Sequence, residues 1–260
     1  NFHSERFSIR RFESEHDLIF DDPTELDLEY LRKDMKPDVW WIDAGWYPCD
    51  YNWPRIGTWR VDEARFPRGL APIGEACKEN DIDLLLWFEP ERVRKGEEID
   101  REHPEWLFSI DGSDNRLFDL GTPEAREWIT DRVDAIIKAS GVKIYRQDFN
   151  FEPEKYWDEN EEADRKGIRE IKHIMGLYRL WDALLERFPD LIIDNCASGG
   201  RRIDIETLRR SVPLWRSDAQ CPANPSPEIA QIHTMSFNLW MPYSTTGPGR
   251  LWGDDYRARS

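Results

Sequence analysis

Cysteine and histidine are sparse in this sequence and never grouped. The four cysteines, Cys49, Cys77, Cys196 and Cys221, lie far apart with neither CxxC nor His-paired spacing. That excludes the usual zinc sites, and four thiols do not make a disulfide framework in a chain of 260 residues. The five histidines, His3, His16, His103, His173 and His233, are equally scattered, which counts against a metal-dependent hydrolase. No apolar run reaches the ~18 residues of a membrane span, and the opening residues, Asn1 to Arg11, carry charge where a secretion signal would be apolar. The expectation is a soluble protein, cytoplasmic in preference to exported. Positive charge is also in deficit. With 36 Lys and Arg against 52 Asp and Glu, the formal net charge is −16, so neither nucleic acid nor an anionic membrane is expected as a partner. Repeats and Gly/Ser-rich linkers are missing too, and the chain therefore reads as one domain over residues 1–260.

What the sequence does hold is aromatic and acidic. Thirteen tryptophans provide flat apolar faces, each with a polar N–H, which serve a core or a stacked sugar ring. Short apolar runs alternate with longer amphipathic stretches, the pattern of parallel strands joined by crossover helices. The runs are Val39 to Ile42, Ile82 to Phe88, Val142 to Tyr145, Leu191 to Ile193, Val212 to Trp215 and Met235 to Met241, with Phe7 to Phe12 as a weaker addition. Helical spacing is clearest over Arg126 to Ala139 and Ile168 to Phe188. Thr122-Pro123-Glu124 offers the first of these an N-cap and a proline at its first position. The expected fold is α/β, a (β/α)8 TIM-type barrel of about the ~250 residues usual for that architecture, incomplete at one or both ends.

Asp43, Glu89, Asp148, Asp194-Asn195 and Asp218 each stand at or just past the C-terminal end of an apolar run. Barrel enzymes collect their catalytic groups there, whereas a single such acid is as readily a helix cap. Glycoside hydrolysis needs two carboxyl groups flanking the scissile bond, and Asp148 and Asp218 fit that pair. Arg146, two residues before Asp148, shares its strand face and would keep it ionised. The apolar and aromatic residues before Asp218 are expected to desolvate it, as a general acid requires. Glu89 and Glu91 bind substrate or simply open a loop. Trp87 is core or stacking platform, and Gly199-Gly200 makes a tight turn with or without a ligand against its backbone. The acidic stretch Glu152 to Asp164 is either a site wall or, the favoured reading, a solvated charge run.

Several distinctive segments occur in one order: Trp41-Ile42-Asp43-Ala44-Gly45-Trp46-Tyr47, Leu86-Trp87-Phe88-Glu89-Pro90-Glu91, Arg101 to Trp106, Tyr145-Arg146-Gln147-Asp148-Phe149-Asn150, Cys196 to Asp204, and Trp215-Arg216-Ser217-Asp218. Together they resemble glycoside hydrolase family 36, the melibiase-type α-galactosidases, over residues 37–247. The resemblance implies a retaining enzyme that cleaves terminal α-galactosides by double displacement, Asp148 being the nucleophile and Asp218 the acid/base. It implies that Asp43 binds sugar hydroxyls, that Arg146 takes the place of a sugar-binding lysine, and that Cys196, Ser198 and Trp215 line the same subsite. Trp46, Trp87, Glu89 and Gly199 complete the candidate substrate-binding set. No metal or organic cofactor is implied, and the expected partner is an oligosaccharide or α-galactoside. The family's flanking β-domains are absent from this sequence. Three departures stand out: Ala44 where a second aspartate is common, Arg146 for lysine, and Ser198 where glycine is usual. The alternatives are an α-N-acetylgalactosaminidase or a barrel that binds glycans without cleaving them.

Overall fold

A computed structural model describes residues 38–220 and 226–241 of the chain. The expected strand at Phe7 to Phe12 lies outside the described residues. Four parallel strands form the central sheet, β1 (Val39–Ile42), β2 (Asp83–Phe88), then β6 (Ile144–Gln147) and β7 (Ile192–Asn195), in the order β1-β2-β6-β7. Their register pairs Trp41 with Leu85, Leu85 with Ile144 and Ile144 with Ile192. Among the described residues the sheet is an open arc of the (β/α)8 barrel, not a closed one.

Because side chains alternate across a strand, that register sorts the arc into two faces. Trp40, Ile42, Leu84, Leu86, Phe88, Tyr145 and Ile193 point to the helices and belong to the main apolar core. Each fully buried side chain of this kind contributes about 1.5–3 kcal/mol over its exposed state. The opposite face is layered. Trp41, Leu85 and Ile144 form a small apolar cluster at its base. One step along each strand come Trp87, Arg146 and Asp194, and beyond them Glu89, Asp148 and Cys196. Chemistry is thereby concentrated at the C-terminal rim.

The helices α1 (Ala71–Glu79), α3 (Pro123–Ser140) and α5 (Ile168–Arg187) cover the outer face, α3 lying against both α1 and α5. Both expected helices are present, and Pro123 occupies the first turn of α3. Thr122 sits at the N-cap position, but its hydroxyl donates to Asp119 and caps nothing. Helix α5 meets the chain before α3 so closely that a Cβ on Gly176 would stand 2.0 Å from the Leu120 carbonyl oxygen.

Two expected strands need correction. At Val212 to Trp215 the pairing stops at a single bridge between Val212 and Asp194. Pro213 has no N–H to offer, and the Leu214 N–H goes to the Asp194 carboxylate at 2.8 Å. Residues Met235 to Met241 are not a strand. They overlap helix α6 (Pro227–Asn238), which starts with Ser226 as N-cap, its hydroxyl accepting from Ile229 N–H, and Pro227 behind it.

Between β2 and α3 lies a small antiparallel sheet that the barrel pattern does not foresee: β3 (Arg92–Arg94), β4 (Leu107–Phe108) and β5 (Asn115–Phe118), with the short helix α2 (Glu98–Glu102). The acidic stretch after Asp148 is not merely solvated. Its helix α4 (Glu154–Asp158) buries Tyr156 and Trp157 in a second apolar cluster with Phe108, Leu117 and Phe149. No helix among the described residues is long and apolar enough to cross a membrane.

Candidate active site

Asp148 follows β6 directly, and its backbone N–H still pairs with the Phe88 carbonyl, so the strand fixes where its side chain begins. The carboxylate is buried and takes a donor at each of its roughly four lone-pair positions. Oδ1 accepts from the N–H of Phe149 at 2.8 Å and of Ser198 at 3.2 Å. Oδ2 accepts from Trp87 Nε1 at 3.1 Å and Asn150 Nδ2 at 2.8 Å. Burial pushes its pKa up, but the Arg146 charge and the Asn150, Trp87 and Cys196 donors outweigh that, holding Asp148 below the usual carboxylate range. A buried, ionised carboxylate held in this way is chemically able to act as a nucleophile.

Arg146 does not touch Asp148 directly. It lies on the same face, as its spacing predicts, but its Nη1 bonds the buried Asp194 carboxylate and its guanidinium covers the Trp41 ring at 4.5 Å. Burial opposes its charge, and Asp194 more than restores it. Cys196 is buried next to this pair, and burial raises its thiol well above the ordinary value, so the thiol stays protonated. On the other flank, Glu89 is fully buried. It grips Arg92 through both oxygens, at 2.8 and 2.6 Å, and accepts the Asn150 N–H. Burial pushes Glu89 upward against the pull of Arg92.

Asp218 reaches the same rim by a different route. The loop after β7 turns sharply at Ser198 and Gly199, whose φ values are 48° and 82°. Glycine is favoured in that conformation, and Ser198 departs from it while donating its N–H to Asp148 and its hydroxyl to Asn150 Oδ1 at 3.0 Å. A Cβ on Gly199 would stand 2.8 Å from the Asp218 nitrogen and 2.9 Å from Ser217 Cα, and Gly199 bridges Ser217. Gly199 is therefore required by a backbone contact, not by a turn alone. Asp218 opens a single 3-10 turn, Asp218–Gln220, and its Oδ1 accepts from Trp215 Nε1 at 2.9 Å. The desolvation expected of it is not found. The side chain is exposed, although Trp215 among the residues that precede it donates to its carboxylate.

A family model described as Melibiase matches residues 16–240. The chain belongs to the melibiase family. It is similar to an alpha-galactosidase of Escherichia coli, with 32% identity over 184 residues, covering 68% of this chain and 25% of that protein. In structure it resembles the galactosidase domain of alpha-galactosidase-sucrose kinase, AgaSK, with TM-score 0.72 and 22% identity, covering 91% of this chain and 33% of that one. It also resembles a variant of the GH36 alpha-galactosidase AgaA from Geobacillus stearothermophilus in complex with stachyose, with TM-score 0.68 and 22% identity, covering 78% and 30% of the two chains. The chain spans about a quarter of the length of the curated relatives it matches.

Within this melibiase barrel, Asp148, Trp87, Cys196, Ser198 and Gly199 share one rim with Glu89 and Arg146. Asp43 follows β1 and accepts from the Ala44 N–H at 2.7 Å. Trp46 is not at the rim surface. It is fully buried, gives its indole N–H to the Trp87 carbonyl, and packs on Tyr47, Trp59 and Phe88. Trp87 offers no free face either, because it is buried and edge-on to Trp53. Two residues escaped sequence reading: Asn150, which bridges Asp148, Glu89 and Ser198, and Arg92, the partner of Glu89. Asn150 lies two positions past Asp148 in the same motif, and that alternation was the available signal. No group of three or more acidic, His or Cys side chains among the described residues is arranged to hold a metal ion.

Proposed function

We propose that this chain carries the catalytic centre of a retaining α-galactosidase, with residues 1–260 acting as one catalytic barrel unit. The observation that carries the reading is the Asp148 carboxylate, buried at a strand end, ionised and aimed by four N–H donors. In the first step an Asp148 oxygen attacks the anomeric carbon while the glycosidic C–O bond breaks. The Asp218 carboxyl gives its proton to the leaving oxygen. In the second, Asp218 takes a proton from water, whose oxygen attacks the same carbon and returns the Asp148 carboxylate. The two inversions leave the anomeric configuration unchanged.

Trp215, by donating to Asp218, holds it on the side from which the leaving group departs. Asp43, Arg146, Cys196 and Ser198 are read as sugar-facing groups. The partner is an α-galactoside oligosaccharide, a reading supported by AgaA variants of Geobacillus stearothermophilus in complex with stachyose and raffinose. The test is a panel of aryl α-glycosides, the galactoside against the N-acetylgalactosaminide and the glucoside. Preferential hydrolysis of the galactoside supports the reading. Turnover of the N-acetylgalactosaminide alone, or of none, overturns it.

A further inference from the structure

The turn Glu89-Pro90-Glu91 after β2 sends one carboxylate to each flank of β6. Glu89 works on the catalytic side through Asn150. Glu91 is equally buried and is bonded by Gln147 and by His173 of helix α5, on the helix side of β6. Three groups from three parts of the fold converge on it. Gln147 Nε2 donates to its Oε1 at 2.7 Å, as does Arg202 Nη2 at 2.7 Å, while His173 Nε2 of helix α5 meets Oε2 at 2.8 Å. Gln147, in turn, accepts from Tyr145 Oη at 2.8 Å and Trp181 Nε1 at 2.7 Å. Burial raises Glu91, but Arg202 and His173 dominate and hold it at about 2, so it is ionised at any working pH.

Two of these partners, Gln147 and Arg202, lead back to Asp148. Gln147 is the residue before it, and the Gln147 carbonyl also receives the Cys196 N–H at 2.8 Å. Arg202 closes the loop that begins at Cys196. Its guanidinium covers the Phe149 ring at 4.4 Å, and its carbonyl accepts from Asn195 Nδ2 and Thr207 Oγ1. Between those two ends lie the Ser198 N–H that meets Asp148 and the Gly199 backbone that meets Asp218. A buried charge left unpaired is costly, so the loop cannot drift from β6 without stranding Glu91 or Arg202.

We propose that Glu91 is a positioning residue for both catalytic carboxyls: its clamp on Gln147 and Arg202 fixes the 196–204 loop so that Ser198 aims Asp148 while Gly199 seats Asp218. This rests on the retaining-glycosidase reading above. It makes Glu91 and Arg202 one unit whose removal misaligns the reacting groups and leaves sugar binding nearly intact.

The experiment compares Glu91→Gln, Arg202→Met and the double variant in the full chain, using 4-nitrophenyl α-galactoside together with hydrogen exchange of the 196–200 amides. Each single variant should lose about tenfold to a hundredfold in kcat with KM within about threefold. The double variant should lose little more than either single one, because the two act as one unit. Exchange at Ser198 should accelerate in the variants while the β2 and β6 amides stay protected. Unchanged kcat in folded variants, a loss confined to KM, or multiplicative losses in the double variant would overturn the proposal. If Glu91→Gln does not fold, Arg202→Lys, which keeps the charge but not the planar fork, decides by the same kcat and exchange readouts. Failure of that variant to fold as well counts against the proposal, since the cluster would then support the fold and not the loop. The underlying reading fails separately: it falls if Asp148 is dispensable for turnover, whereas this inference falls if Asp148 is essential and Glu91 is not.

Discussion

The end of β6 and the turn at residues 215–218 each present one carboxylate to the same rim, in opposite surroundings. Asp148 is buried, its atoms fixed by strand pairing and by four N–H donors that leave it ionised. Asp218 is exposed, stands on a single 3-10 turn and is steadied by one indole. The difference matches the two tasks. In the proposed reaction the nucleophile must stay charged and in line with one carbon, whereas the acid/base gives its proton to the leaving oxygen in the first step and takes one from the attacking water in the second. Burial of the kind that serves Asp148 would hinder Asp218.

Substitutions on either side of this contrast have unequal effects. Asp148→Asn keeps the shape of the side chain and removes its charge, and kcat for any aryl α-galactoside should fall by about 10^4-fold or more. Asp218→Ala should be selective. Substrates with poor leaving groups lose about 10^2- to 10^4-fold in the first step, while good leaving groups retain it, as pre-steady-state release of the aglycone will report. Equal losses on both would mean that Asp218 is not the acid. Gly199→Ala forces a Cβ against the Asp218 backbone at an unfavourable φ and should cost at least about 1–2 kcal/mol in urea unfolding. Its activity should suffer with substrates that need Asp218. Trp215→Phe removes the indole donor, an interaction of about 0.5–1.5 kcal/mol, so stability should fall by no more than that and kcat by a few-fold.

The same contrast explains what could be read without coordinates. Asp148 was legible because it stands just past the short apolar run Val142 to Tyr145, inside a distinctive motif, Tyr145 to Asn150, and the end of such a run marks where a strand presents its last side chain. The helices α3 and α5 were legible for a similar reason, since each carries several turns of apolar spacing. Asp218 was visible as a motif, but its exposure was not, because a 3-10 turn has no periodicity and hydrophobic neighbours in sequence need not pack on it. The strand expected at Met235 to Met241 failed on an ambiguous apolar run. Ser226-Pro227 upstream carried the helix-start signal that would have resolved it. The small sheet β3-β5-β4 was missed because its strands span two to four residues, too short for any pattern. The Glu91 cluster joins residues up to 111 positions apart, and one sequence gives no warning of such a pairing.

The central claim is that Asp148 forms a covalent bond to the sugar, and azide rescue of Asp148→Gly tests it most directly. The variant should be inactive alone, and added azide should restore turnover of an activated aryl α-galactoside, giving the β-galactosyl azide. Activity without azide, or an azide product of α configuration, would contradict the assignment.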